Sequence, residues 1–191
     1  MIKGSTQLVA IVGSPIAQVK SPENFNRWFA EQGQDTAMLA IDLQHTALDG
    51  IGTGGVGSAI AYSLCQAGLT RLAISDLDGR RVEALAELLR TAFPHIAISA
   101  SPASLAELDL VVNASPVGMG ATGDGPMPVP VALMQTLRDT TLVADVVTAP
   151  ALTPFLSFAR GMGCAIQTGP EMALAQLGNL GHFMGVTPLD I

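Results

Sequence analysis

The sequence predicts an α/β fold, a doubly wound parallel sheet with helices on both faces, and three observations carry that prediction. Short β-rich runs alternate with amphipathic stretches along the chain, glycine or proline marks most transitions, and one helix opens on a glycine-rich turn. Of the 191 residues, 49% are hydrophobic and 13% charged, which suits one ordinary domain or two small ones and argues against disorder.

Each element follows from local pattern. Leu8–Val12 is a buried strand that runs into the loop Gly13-Ser14-Pro15. Ser21-Pro22 starts a helix, with a hydroxyl N-cap and proline at the first helical position. Phe25, Trp28 and Phe29 fall on one face of it, and Gly33 closes it. Met38–Leu43 is the next strand. A helix over Val56–Ala67 stops at Gly68, followed by strand Leu72–Ser75 and helix Arg80–Ala92, which Pro94 ends. Strands Ile96–Ser99 and Leu110–Val112 flank a short helix over Ala103–Glu107. The Gly/Pro-rich loop Ser115–Pro130 leads to a helix ending at Leu137, then strand Leu142–Val147 and helix Thr153–Arg160. Strand Cys164–Gln167 and one helix over Glu171–Met184 complete the series.

Charge and composition narrow the function. A net charge of −7 supplies no basic face for nucleic acid. No apolar run reaches the roughly 18 residues that cross a bilayer, and Met1–Thr6 lacks the charged-then-apolar pattern of a signal peptide. The expected location is cytoplasmic, with no nucleic-acid or membrane partner. Cys65 and Cys164 lack partners at metal-ligand spacing and are expected as buried thiols, with no metal site. His45, His95 and His182 are scattered and are expected to be surface or structural residues.

The turn Gly52-Thr53-Gly54-Gly55-Val56-Gly57 has the form that holds a dinucleotide pyrophosphate in a Rossmann-type domain. Glycine permits the tight turn, the close approach of backbone to phosphate, and the close packing of helix on strand. The helix N-terminus adds free N–H groups and the positive end of the helix dipole. Gly52, Gly54, Gly55, Val56 and Gly57 are therefore cofactor-binding candidates. Asp76 ends the next strand about 20 residues after the last glycine, where a carboxylate hydrogen-bonds the adenosine ribose. It would repel a 2′-phosphate and favours NAD over NADP, whereas Arg80 and Arg81 are close enough to accommodate that phosphate. The competing role for Asp76 is a helix cap or turn residue.

Four further segments carry a family resemblance. Asn113-Ala114-Ser115-Pro116-Val117-Gly118-Met119 follows a strand and resembles the Asn-Ala-Thr/Ser-x-x-Gly-Met loop of shikimate/quinate dehydrogenases. Gly13–Pro22 resembles that family's N-terminal substrate loop, Asp145–Pro154 its Asp-x-x-Tyr-x-Pro-x-x-Thr-Pro stretch, and Gly169–Gln176 its C-terminal helix. The resemblance implies a Rossmann-type sheet with a second, smaller and here truncated α/β substrate domain. It implies hydride transfer between NAD or NADP and a ring hydroxyl of shikimate or quinate. Carried over by position, Ser21, Thr148 and Gln176 bind substrate, while Asn113, Ala114, Ser115, Met119 and Met172 line the nicotinamide. The family's first loop serine is Val19 here, its histidine Gln18, and its usual tyrosine Thr148. Structural roles compete with these: an N-cap for Ser21, a turn for Asn113, a backbone partner for Gln176.

The implied domains are 1–49 for the incomplete substrate domain, 50–167 for the dinucleotide domain, and 168–191 for a helix returning to the substrate domain. The resemblance leaves a homodimer open as the assembly and a small molecule as the partner. The family's catalytic lysine and aspartate have no counterpart, because the lysines of this chain are Lys3 and Lys20 and no Val-Thr-x-Pro-x-Lys segment occurs. The strand that should precede the glycine turn is reduced to Ile51. Either a longer enzyme carries a segment at this point, which the well-formed flanking motifs favour, or the chain is internally shortened. The alternative function is a dinucleotide-binding paralogue without catalysis. A methylene-tetrahydrofolate dehydrogenase is a third reading, opposed by the Ser-Pro and Gly-x-x-Met-x-x-x-Gln elements.

Overall fold

The computed structural model describes residues 3–13, 19–42, 55–100, 102–121 and 125–188. Strand β1 (Gln7–Gly13) pairs in parallel with β2 (Thr36–Asp42), with helix α1 (Ser21–Glu31) between them in sequence. Phe25 and Phe29 of α1 are fully buried against Val9 and Met38, so the aromatic face read from the sequence is the one that packs. Asn26 fastens helix to strand: its side-chain oxygen accepts from the Met38 N–H at 2.7 Å and its amide donates to the Met38 carbonyl at 2.9 Å.

The second unit joins α2 (Gly55–Gln66), β3 (Arg71–Ile74), α3 (Gly79–Ala92) and β4 (Ala97–Ala100). The two strands are parallel, and Ala61, Cys65, Leu89 and Ile96 form the core beneath them. In the third unit, β5 (Leu110–Asn113), β6 (Leu142–Asp145) and β7 (Ala165–Gln167) make a parallel sheet. Helices α4 (Val131–Met134) and α5 (Pro154–Gly161) cover it, burying Met134, Val143, Phe155 and Leu156 completely. The chain ends in α6 (Gly169–Ala175) and α7 (Leu177–Phe183); Leu177 together with Met184 and Val186 packs back against the α1 aromatics. The result is an α/β protein with parallel strands, as the alternation predicts, but among the described residues the strands lie in three separate sheets.

Several local expectations change. Lys20, not Ser21, occupies the cap position of α1, and no side chain caps that end. No helix forms over Ala103–Glu107, because side-chain oxygens take the amides a helix would use: Thr136 Oγ1 accepts from Leu105 N–H and Ser104 Oγ from Ala106 N–H. The predicted helix Glu171–Met184 is interrupted at Gln176, whose ψ of −8° flattens the helical path. It also begins earlier, on a capping box between Thr168 and Glu171. Cys65 and Cys164 are buried and unpaired, and burial pushes both thiols above their ordinary pKa. His95 and His182 are exposed, while His45 lies outside the described residues. No helix of the described residues is long and apolar enough to cross a membrane.

Candidate functional site

The carboxyl ends of β5 and β6 are joined by one buried polar network. Asn113, the last residue of β5, is 4% exposed. Its amide nitrogen donates to the Val117 carbonyl and to Asp145 Oδ1, each at 3.0 Å. Its side-chain oxygen accepts from Ser115 N–H at 3.1 Å and from the Ser115 hydroxyl at 2.6 Å. Asp145 also accepts from Val147 N–H at 2.9 Å and from the Thr153 hydroxyl at 2.7 Å. Burial raises the Asp145 carboxyl pKa above its usual value, and these hydrogen bonds partly offset the shift. Gly118 sits at φ +95° against Thr153, a conformation that side-chain-bearing residues rarely adopt. Gly120 N–H then donates to the Ala149 carbonyl at 2.9 Å, tying the loop after β5 to the loop after β6.

This network fixes the shape of the Asn113–Met119 loop. Ala114 and Met119 are exposed on it, Ser115 is half-buried, and both ends of the Asn113 amide are used within the protein. The start of α2 lies beside this loop: a Cβ added at Gly57 would meet Ala114 Cβ at 3.4 Å. Gly55 and Val56 are exposed in the first turn of α2, and Gly52 and Gly54 lie outside the described residues. Asp76, exposed beyond the end of β3, accepts from Asp78 N–H at 2.9 Å, while Asp78 caps α3. Asp76 thus takes part in a turn, with its carboxylate open to solvent.

A nicotinamide dinucleotide fits this arrangement in kind. Its candidate residues lie at the carboxyl ends of parallel strands, where open α/β sheets hold ligands. An exposed, glycine-bearing first turn of a twelve-residue helix lies there, and a helix N-terminus with its positive dipole end suits an anion.

On the substrate side, a cavity of about 240 Å³ lies between α1, Thr148 and α6. Lys20, Glu23 and Arg27 face it along one side of α1, and Ala173 and Leu174 form its apolar wall. Of the predicted substrate residues, Thr148 lines this cavity, whereas Ser21 and Gln176 do not. Ser21 is half-buried in the first turn of α1, Gln176 is exposed at the α6–α7 junction, and Met172 is half-buried on α6. Lys20, Arg27 and Asp145 were not singled out by sequence reasoning. The spacing of Lys20, Glu23 and Arg27 places them on one helix face and was the available signal. For Asp145 the signal was its place at the head of the Asp145–Pro154 stretch, and its link to Asn113, 32 residues away in sequence, was not visible there.

No family model matches the chain. The chain is 36% identical over 148 residues to the shikimate dehydrogenase (NADP(+)) of Pseudarthrobacter chlorophenolicus, covering 73% of this chain and 49% of that one. It is 37% identical over 151 residues to the quinate/shikimate dehydrogenase (NAD(+)) of Corynebacterium glutamicum, covering 76% and 50%. The chain spans about half the length of the curated relatives it matches. Among solved structures, the quinate dehydrogenase from Corynebacterium glutamicum in complex with NAD matches with a TM-score of 0.75 and 23% identity, covering 96% of this chain and 95% of that one. The shikimate 5-dehydrogenase from Listeria monocytogenes in complex with shikimate and NAD matches with a TM-score of 0.74 and 18% identity, covering 99% and 95%.

Proposed function

Because the chain belongs to the shikimate/quinate dehydrogenase family, we propose that it is an oxidoreductase acting on a ring hydroxyl of a cyclic hydroxy acid, shikimate or quinate. NAD or NADP would supply the hydride acceptor. The observation that carries this reading is the pinned Asn113–Met119 loop beside the start of α2. It offers a rigid wall next to a helix N-terminus, the two features a nicotinamide dinucleotide needs at once.

In this reading the parallel pairs β3–β4 and β5–β6–β7 are parts of one Rossmann-type sheet, parted where its first strand would run. The contact of Gly57 with Ala114 and the Arg71–Glu107 ion pair at 3.2 Å support it, since both bring the α2–β3 unit alongside β5. Residues 1–49 and 168–191 belong to the substrate side, and residues 50–167 to the dinucleotide side. Gly52, Gly54, Gly55, Val56 and Gly57 are assigned to the pyrophosphate and Asp76 to the adenosine ribose, which favours NAD. Ala114, Ser115, Met119 and Met172 line the nicotinamide side, and Asn113 holds that loop in shape. Ser21, Thr148 and Gln176 serve the substrate.

The test is an assay of the purified protein with shikimate and quinate, each with NAD and NADP. Turnover with at least one pair is expected, and none with all four would overturn the proposal. One observation favours a second reading, a dinucleotide-binding protein without turnover: the chain has no counterpart of the family's catalytic lysine and aspartate. Calorimetric binding of NAD with zero turnover would select that reading.

A further inference from the structure

We propose that Lys20 is the carboxylate anchor of the cavity between α1 and α6, a role that rests on the function proposed above and assigns its substrate recognition to a residue to which the family resemblance gives no role. The cavity is small. Its 240 Å³ lies below the roughly 300–1,000 Å³ of pockets for drug-sized ligands, so its occupant is a compact molecule.

The charge along its α1 side is unbalanced. Lys20 Nζ donates to Glu23 Oε2 at 3.1 Å, and an Arg27 guanidinium nitrogen donates to Glu23 Oε1 at 3.2 Å. One carboxylate therefore lies between two cations, leaving a surplus of one positive charge in a protein of net charge −7. An ammonium has three N–H donors and Glu23 takes one, so Lys20 keeps donors for a ligand. Glu23 also holds both cations on this face of the helix.

The remaining walls define the rest of the ligand. Thr148 brings a hydroxyl that donates or accepts, and Pro170, Ala173 and Leu174 bring apolar surface. A single carboxylate balances the surplus charge, and a ring behind it covers the apolar wall. A phosphate would arrive with more negative charge than the cluster neutralises. Neighbouring Val19 offers no polar side-chain atom, and Ser21 does not line the cavity. Lys20 is thus the donor closest in sequence to the family's serine position that does face the cavity.

Calorimetric titration of the full chain with shikimate and with its methyl ester tests this directly, because the ester keeps the ring and removes the charge. The unaltered protein should prefer the acid by on the order of ten- to a hundred-fold. Lys20→Met should abolish that preference while leaving ester affinity, NAD affinity and melting temperature unchanged, and Lys20→Arg should retain it. Equal binding of acid and ester by the unaltered protein would overturn the anchor. So would an undiminished preference in Lys20→Met, and in either case shikimate binding would leave the proposed function standing. Binding of neither compound would overturn the anchor and the proposed substrate class together.

Discussion

Asp145 shows how far one buried carboxylate can organise a site. It is fully buried and accepts from Asn113, Val147 and Thr153, so replacing it with alanine strands three donors. Asp145→Ala is expected to cost about 3 kcal/mol or more in urea unfolding. Asp145→Asn keeps the shape and lets the Thr153 hydroxyl reverse its role, so its cost should be smaller. The two variants also separate packing from charge. Burial raises the folded-state pKa of Asp145 above 3.8, so its contribution to stability is complete below the unfolded value and is lost as pH rises through the folded one. The stability difference between the unaltered protein and Asp145→Asn should therefore shift against the unaltered protein as pH rises above 3.8. Taking the difference cancels the opposite trend of exposed Glu23, Asp35 and Glu171, whose pKa values are lowered by their own partners. Thr187 gives a prediction of the other sign. Its buried hydroxyl has no hydrogen-bond partner among the described residues, so Thr187→Val should raise stability by about 1 kcal/mol, read as a higher melting temperature.

Helix α6 is placed by one glycine and one cap. A Cβ at Gly169 would collide with the Val147 carbonyl, and a main-chain atom of the buried segment after β6 cannot move aside as a flexible side chain would. Gly169→Ala is expected to cost about 3 kcal/mol, the upper part of the usual range for overpacking, and to shift α6 away from the cavity. Thr168→Ala removes the hydroxyl half of the capping box and should cost only about 1 kcal/mol. Thermal melts of the two variants should show that difference. The helix itself was legible beforehand, since the Gly-x-x-Met-x-x-x-Gln pattern marks the segment, but its start was read at Glu171 and the structure places it at Gly169, capped by Thr168. The interruption at Gln176 was not legible, because a periodic apolar pattern runs through a bend in the backbone without changing phase. Ser21 was misread as a cap for a similar reason. A hydroxyl before proline suits a cap, but the helix begins one position earlier than that pattern suggests.

The three sheets differ in how well they are covered. Strands β5 and β6 alternate or run buried, with Val143, Ala144 and Asp145 shielded from solvent, whereas β3 and β4 are largely exposed or half-buried. Local opening follows burial, so amide hydrogen exchange should be slowest in β6 and markedly faster in β3 and β4. Equal protection of the two sheets would show that they unfold as one unit. The alternation of strands and helices, the order of the family's motifs and the buried state of both cysteines were all readable along the chain, because periodicity, turn chemistry and apolar context act over a few neighbouring residues. The separation of the described strands into three sheets, the joining of Asn113 to Asp145 and Thr153, and the meeting of Lys20 with Thr148 around one cavity were not. Those features depend on contacts between residues far apart in the chain, whose geometry is settled only when the helices pack and the strands find their partners.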